Sequence, residues 1–108
     1  MVLLSIGYLV DQETDRYEVL LEEGVEYRIY VHPADVRADF NLELRDAEGS
    51  IVTSDTGVQA DAAAVAQPSY AGPFQILVTS ARGASRYALA VEGGSVVPSG
   101  APIRKTQR

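Results

Sequence analysis

The residues able to do chemistry begin with an acidic run: Asp11, Glu13, Asp15 and Glu22 fall at relative positions 1, 3, 5 and 12 of a calcium loop. That spacing lets one loop surround a hard cation with oxygens. Its sixth position needs Gly for a sharp turn and here holds Arg16, and Tyr17 to Leu21 carries a strand pattern where a helix would be required. A solvated acidic turn is therefore expected. Asp35, Asp39, Asp46, Glu48, Asp55 and Asp61 lie in or beside loops and suit ordinary turn chemistry, so no site is expected from them. His32 is the only histidine and there is no cysteine, which removes His- or thiolate-based metal sites and the Ser-His-Asp arrangement. No serine sits in a G-x-S-x-G elbow and no phosphate-binding glycine loop occurs. The chain is expected not to be an enzyme, with no catalytic and no metal-binding residue. Two aromatics remain as possible ligand contacts: Tyr30, on the side of its segment opposite Tyr27, Ile29 and Val31, and Tyr70, in a loop. A tyrosine buries area against a sugar or peptide while keeping a polar tip.

The elements that must position them all have a period of two. Ser5 to Val10 alternates around Ile6, Tyr8 and Val10; Tyr17, Val19 and Leu21 alternate next, then Tyr27, Ile29 and Val31 up to Pro33. The pair on either side of Glu22-Glu23-Gly24 is expected to form a hairpin. Phe40, Leu42 and Leu44 face inward, Asp46 to Gly49 makes a turn, and Ile51 to Thr53 pairs back as a short strand. DAAAVAQ, Asp61 to Gln67, has helical propensity but is too short for an isolated helix and is flanked by strands. It is read as a strand with Ala63 and Val65 inward. Phe74, Ile76 and Val78, then Tyr87, Leu89 and Val91, alternate around Arg82-Gly83-Ala84 and read as a second hairpin. The sum is an all-β, antiparallel two-sheet sandwich, jelly-roll-like, of about eight short strands, spanning residues 3–92. Residues 93–108, rich in Gly, Ser and Pro and basic at the end, read as a flexible linker.

Composition narrows the partners. The 108 residues carry a formal charge of −6, and three of the nine basic residues, Arg104, Lys105 and Arg108, stand at the end. Residues 1–103 thus hold six basic groups against 15 acidic ones, which repels phosphate backbones. Nucleic acid is not an expected partner. No apolar run reaches the roughly 20 residues of a bilayer span, so no membrane insertion is expected. Met1 to Leu4 lacks a basic leader and a cleavage site, and reads as the start of a first strand rather than a signal peptide.

The landmarks, taken in order, are Asp15-x-Tyr17-x-Val19-x-Leu21-x-x-Gly24, Asp39-Phe40-x-Leu42-x-Leu44-x-Asp46-x-x-Gly49, Pro68-x-x-x-Gly72-x-Phe74-x-Ile76-x-Val78 and Gly83-x-x-x-Tyr87-x-Leu89-x-Val91. The series resembles the bacterial pre-peptidase C-terminal domain, a β-sandwich module of secreted enzymes related to the collagen-binding segments of collagenases. The resemblance implies a non-catalytic accessory module of a secreted or envelope protein, aiding targeting, secretion or substrate attachment of a neighbouring peptidase or other hydrolase. It also admits an extracellular polymer or protein as partner. No cofactor is required, calcium being the one ion the family would allow; Asn41 stands where many members have a second Asp. The family's collagen-contacting tyrosines correspond to Gln75, Leu77, Thr79 and Ala81 here. Two other readings follow from the residues: a structural or assembly module that self-associates through a sheet edge, Ala62 to Ala66 being the lightly guarded one, or a calcium-assisted carbohydrate- or fibre-binding domain.

Overall fold

A computed structural model describes residues 2–57, 61–93 and 104–106. Among these residues nine strands run in chain order: β1 Val2–Leu9, β2 Thr14–Leu21, β3 Tyr27–Pro33, β4 Asp39–Arg45, β5 Ile51–Asp55, β6 Ala62–Ala66, β7 Gly72–Arg82, β8 Ser85–Gly93 and β9 Arg104–Thr106. Four form one sheet in the order β1-β8-β3-β6 and five the other, β5-β4-β7-β2-β9, with every pairing antiparallel.

The pairs β1·β8, β2·β7, β3·β6 and β4·β5 are those of one long hairpin folded at the β4–β5 turn. Rolling that hairpin adds β3·β8 and β4·β7 and sends successive strands, β4 and β5 excepted, to alternate sheets. This is the jelly-roll arrangement, in which two stacked sheets bury their inner faces. It overturns both expected hairpins. β2 and β3 lie in different sheets, as do β7 and β8, so Gly24 and Gly83 turn corners between layers. Both have positive φ, 77° and 90°, conformations that cost an L side chain energy. Alternation plus a turn residue fits either outcome, because facing strands in opposite sheets need the same inward apolar set as neighbours in one sheet. Among chain-adjacent strands, β4 and β5 do pair across their turn. Asp46 holds that turn: its Oδ1 accepts from the Glu48 and Ser50 backbone N–H groups at 3.0 and 2.9 Å.

The core takes the expected alternating sets: Tyr17, Val19 and Leu21; Tyr27, Ile29 and Val31; Phe40, Leu42 and Leu44; Phe74, Ile76 and Val78; Tyr87, Leu89 and Val91. Phe40 and Tyr87 meet edge to face at 5.6 Å across the layers. Strand β6 has the opposite phase to that expected. Ala62, Ala64 and Ala66 are buried, while Val65 is exposed. Pairing with β3 sets this, since Ala64 lies opposite inward-facing Ile29 and Ala63 opposite outward-facing Tyr30. The larger side chain thus sits outside because five near-uniform small residues carry almost no hydrophobic phase of their own. Arg104–Thr106, in the segment expected to be linker, pairs with β2 from Arg16 to Glu18. The rest of residues 94–108 lies outside the described residues.

Two glycines make room for rings. Gly7 lies opposite Tyr87 and Gly93 opposite Tyr27; a Cβ on Gly7 would stand 2.5 Å from the Tyr87 ring. The small residue on one strand is thus the seat of a large one on its neighbour.

Candidate functional site

Chain direction reverses at each strand, so the roll has two loop ends. The β1–β2, β3–β4, β5–β6 and β7–β8 connections share one end, where Gln12 N–H bonds Ser80 O at 2.8 Å and Ala34 N–H bonds Arg86 O at 2.8 Å. The β2–β3, β4–β5 and β6–β7 connections share the other, where Gly24 N–H bonds Pro68 O at 2.9 Å. This divides the acidic loop residues. Asp35, Asp55 and Asp61 belong to the first end, Asp46 and Glu48 to the second, and they form no common cluster.

The four residues with calcium-loop spacing are likewise put to separate uses. Asp11 Oδ1 accepts from Gly83 N–H at 3.0 Å, which clamps the first turn onto the β7–β8 corner. Glu13 Oε1 accepts from Val10 N–H at 3.1 Å, and Glu22 donates its backbone N–H to the Tyr27 hydroxyl at 2.9 Å. Asp15 corrects the expectation of a solvated carboxylate. It is fully buried, its Oδ2 accepting a 2.6 Å bond from the Tyr87 hydroxyl, while Tyr17 and Tyr87 bond hydroxyl to hydroxyl. A phenol has one proton, so Tyr87 donates to Asp15 and Tyr17 donates to Tyr87. Burial, followed by these hydrogen bonds, pushes the Tyr87 hydroxyl pKa far above its usual value. The network ties β2 in one sheet to β8 in the other. Its signal was present in the sequence as inward spacing: Asp15 continues the Tyr17, Val19, Leu21 series backwards.

Tyr30 and Tyr70 are placed on different features. Tyr30 is half-buried on the outward side of β3 and lines an open hollow of about 440 Å³ with His32, Asp55, Asp61 and Ala63. His32 is exposed, and its Nδ1 lies 2.8 Å from Asp61 Oδ1. Asp55 is committed to the fold, its oxygens accepting from the Gly57 and Ala63 N–H groups at 3.0 Å each. The Tyr30 hydroxyl meets Arg28, and that hydrogen bond leads the causes raising the guanidinium pKa. The hollow thus offers an aromatic face, an imidazole and a carboxylate: contacts for a polar ligand with an apolar side.

Tyr70 sits at the opposite end over a smaller hollow of about 210 Å³ with Asp46, Val52, Gln67 and Pro68. Its ring stacks on buried Phe74 at 5.3 Å and 24°. Desolvation, then the negative charges of Asp46 and Glu48, raise its hydroxyl pKa. The stacking fixes the ring before any ligand arrives, which lowers the entropy lost on binding. For calcium the fit is poor. Among the described residues no three His, Cys, Asp or Glu side chains gather, although Asp39 and Asn41 on β4 each carry one shielded, unbonded Oδ1.

No protein-family model matches the chain, and no curated protein matches it. Solved structures do. A periplasmic inhibitor of g-type lysozyme, PliG from Aeromonas hydrophila, aligns with a TM-score of 0.64 at 14% identity over 86% of each chain. The Yersinia pseudotuberculosis-derived mitogen aligns at 0.69 and 14% identity, covering 100% of this chain and 96% of that one. The Bacillus licheniformis lipase BlEst2 in propeptide form aligns at 0.58 and 17% identity over 85% of this chain but 21% of the lipase. At such identities the likeness establishes the β-sandwich fold.

Proposed function

We propose that this chain is a non-catalytic recognition module of a secreted or envelope protein, of the kind the pre-peptidase C-terminal resemblance implies, serving a neighbouring hydrolase by attaching it to a partner or surface. One observation carries the reading: the loop ends and outer strands present aromatic contacts, Tyr30 beside His32 and Asp61 and Tyr70 stacked on Phe74, on a frame whose layers are tied together by the buried Asp15, Tyr87 and Tyr17 network. Pre-positioned tyrosines are the contacts that give recognition surfaces most of their affinity. That PliG is a periplasmic inhibitor of another protein supports protein recognition on such a frame, and an envelope setting.

The test is a binding screen of the chain against peptidoglycan, insoluble polysaccharides, fibrous proteins and secreted hydrolases, repeated with Tyr30→Ala and Tyr70→Ala. The reading expects one ligand whose binding falls at least ~10-fold in one of the two variants, the loss of a well-packed aromatic contact costing about 1.4 kcal/mol or more. Binding equal in wild type and both variants would remove the tyrosines from the mechanism. Melting curves with and without calcium decide whether the ion takes part, because a ligand of the native state alone raises Tm.

A further inference from the structure

The outward side of β1 carries Leu4, Ile6 and Tyr8 in one row, 71%, 80% and 53% exposed. Few single strands hold three large apolar side chains in water without a partner. Among the described residues the same strand is an edge: within its sheet it pairs with β8 alone, in an unbroken register from Val2↔Glu92 to Leu9↔Ser85. From Val2 to Leu9 it contains no charge, no proline and no bulge, the three devices that ordinarily guard an edge.

The other edge of this sheet is better protected. β6 is also uncharged, but it is five residues of alanine and valine, and its Ala63 N–H is occupied by the Asp55 carboxylate at 3.0 Å. Charge selects the occupant of β1. Across residues 1–103 the six basic groups face 15 acidic ones, so two copies meeting at most other surfaces bring carboxylates together. Two β1 strands meeting bring none.

We infer that β1 pairs antiparallel with β1 of a second copy, joining the two four-stranded sheets into one continuous eight-stranded sheet across a twofold axis. This goes beyond the recognition reading and stands or falls separately from it. Residues directly opposite in an antiparallel pair share a face, so the axis must pass through a residue rather than between two. Centred on Ile6, the register sets Leu4 against the second copy's Tyr8 and Ile6 against its own counterpart. All six exposed apolar side chains then lie in one ladder, and Ser5 falls opposite Gly7 on the inner face, where no bulk obstructs the approach.

Sedimentation equilibrium from about 1 µM to about 1 mM tests this, spanning the affinities such an interface can have. The mass should rise from 11.6 kDa to twice that value. Ile6→Lys places two cations against each other on the axis and should weaken the dimer ~100-fold or more while leaving the Tm of the monomer unchanged. Val65→Lys, on the β6 edge, should leave the dimer intact. Because the chain has no cysteine, Ile6→Cys gives a second reading: mild oxidation should form a disulfide-linked dimer, the facing Cα atoms lying within bridging range. A wild type that stays monomeric at the highest concentration, a dimer that survives Ile6→Lys, a dimer lost with Val65→Lys, or a mass beyond two copies would each overturn the inference.

Discussion

The outer faces of the two sheets differ more than their inner faces do. Outside the four-stranded sheet stand Leu4, Ile6, Tyr8, Ala88, Ala90, Tyr30, Ala63 and Val65, with Arg28, Arg86, Glu92 and His32 among them. Outside the five-stranded sheet stand Thr14, Arg16, Glu18, Asn41, Glu43, Arg45, Gln75 and Thr79, with two bonded pairs among them: Thr14 Oγ1 meets Thr79 Oγ1 at 2.8 Å and Arg45 grips Glu43 at 2.7 Å. Apolar side chains here are split: Leu20, Ile51 and Val52 at the outer strands β2 and β5 are exposed, but the one at the centre of the sheet is covered. Leu77, in register between Arg16 and Glu43, is only 6% exposed, whereas Ile6 on the other face is 80% exposed. The same alternation therefore produced one skin with a polar, covered centre and another whose edge strand carries a continuous exposed apolar row.

The sharpest way to break this contrast is to place a charge on each side of β6. Ala64→Glu buries a carboxylate among Ile29 and its neighbours and should cost about 3–5 kcal/mol in urea unfolding. Val65→Glu, one residue along, should stay within ~0.5 kcal/mol of wild type. If the two variants lose stability equally, the assigned phase of β6 is wrong.

Next in size is a comparison across the two outer skins. Leu77→Ser should destabilise by about 2–4 kcal/mol, because the lost side chain is enclosed, while Ala88→Ser on the open face should be nearly silent. Equal losses would mean the two faces are equally covered in solution.

What joins the two sheets is tested by Tyr87→Phe, which removes one hydroxyl and leaves both Asp15 and Tyr17 short of a partner. A loss of about 1–3 kcal/mol is expected. The pH dependence has a definite sign. Folding holds the Tyr87 hydroxyl pKa above its ordinary value of 10.0, so the stabilisation is complete below pH 10 and declines as the unfolded chain, but not the folded one, gives up that proton. Wild type should therefore lose Tm more steeply above pH 10 than Tyr87→Phe does.

The smallest expected effect is local. Asp35 is held at a pKa of about 2 by hydrogen bonds from the Arg37 side chain and backbone. Its contribution is present above the ordinary value of 3.8 and is lost as pH falls toward 2. Arg37→Ala should move the Asp35 carboxyl titration, followed by NMR, back toward 3.8 with little change in Tm. A titration that does not move would exclude the ion pair as its cause.

Much of the molecule was legible in the chain. Alternation placed the inward sets of β2, β3, β4, β7 and β8, Asp46 to Gly49 announced the β4–β5 turn, and strand count and turn spacing pointed to a two-layer sandwich. The candidate site was legible only as types: Tyr30 and Tyr70 were identifiable as aromatics off the core pattern, but their separation to different hollows was not. Asp15 was misassigned to a solvated turn because its type outweighed its spacing, although the spacing alone pointed inward.

By itself the sequence determined which side of most strands is apolar, because side-chain direction alternates with a period of two whatever the strand pairs with. The three-dimensional arrangement alone decided which strands pair, that β2 and β3 or β7 and β8 part into different layers, which way the alanines of β6 face, and that the row Leu4, Ile6 and Tyr8 stands on a strand paired, among the described residues, with β8 alone. The physical reason is that backbone hydrogen bonds are alike in every strand. Partner choice is then settled by the joint packing of two sheets, a property no single segment carries.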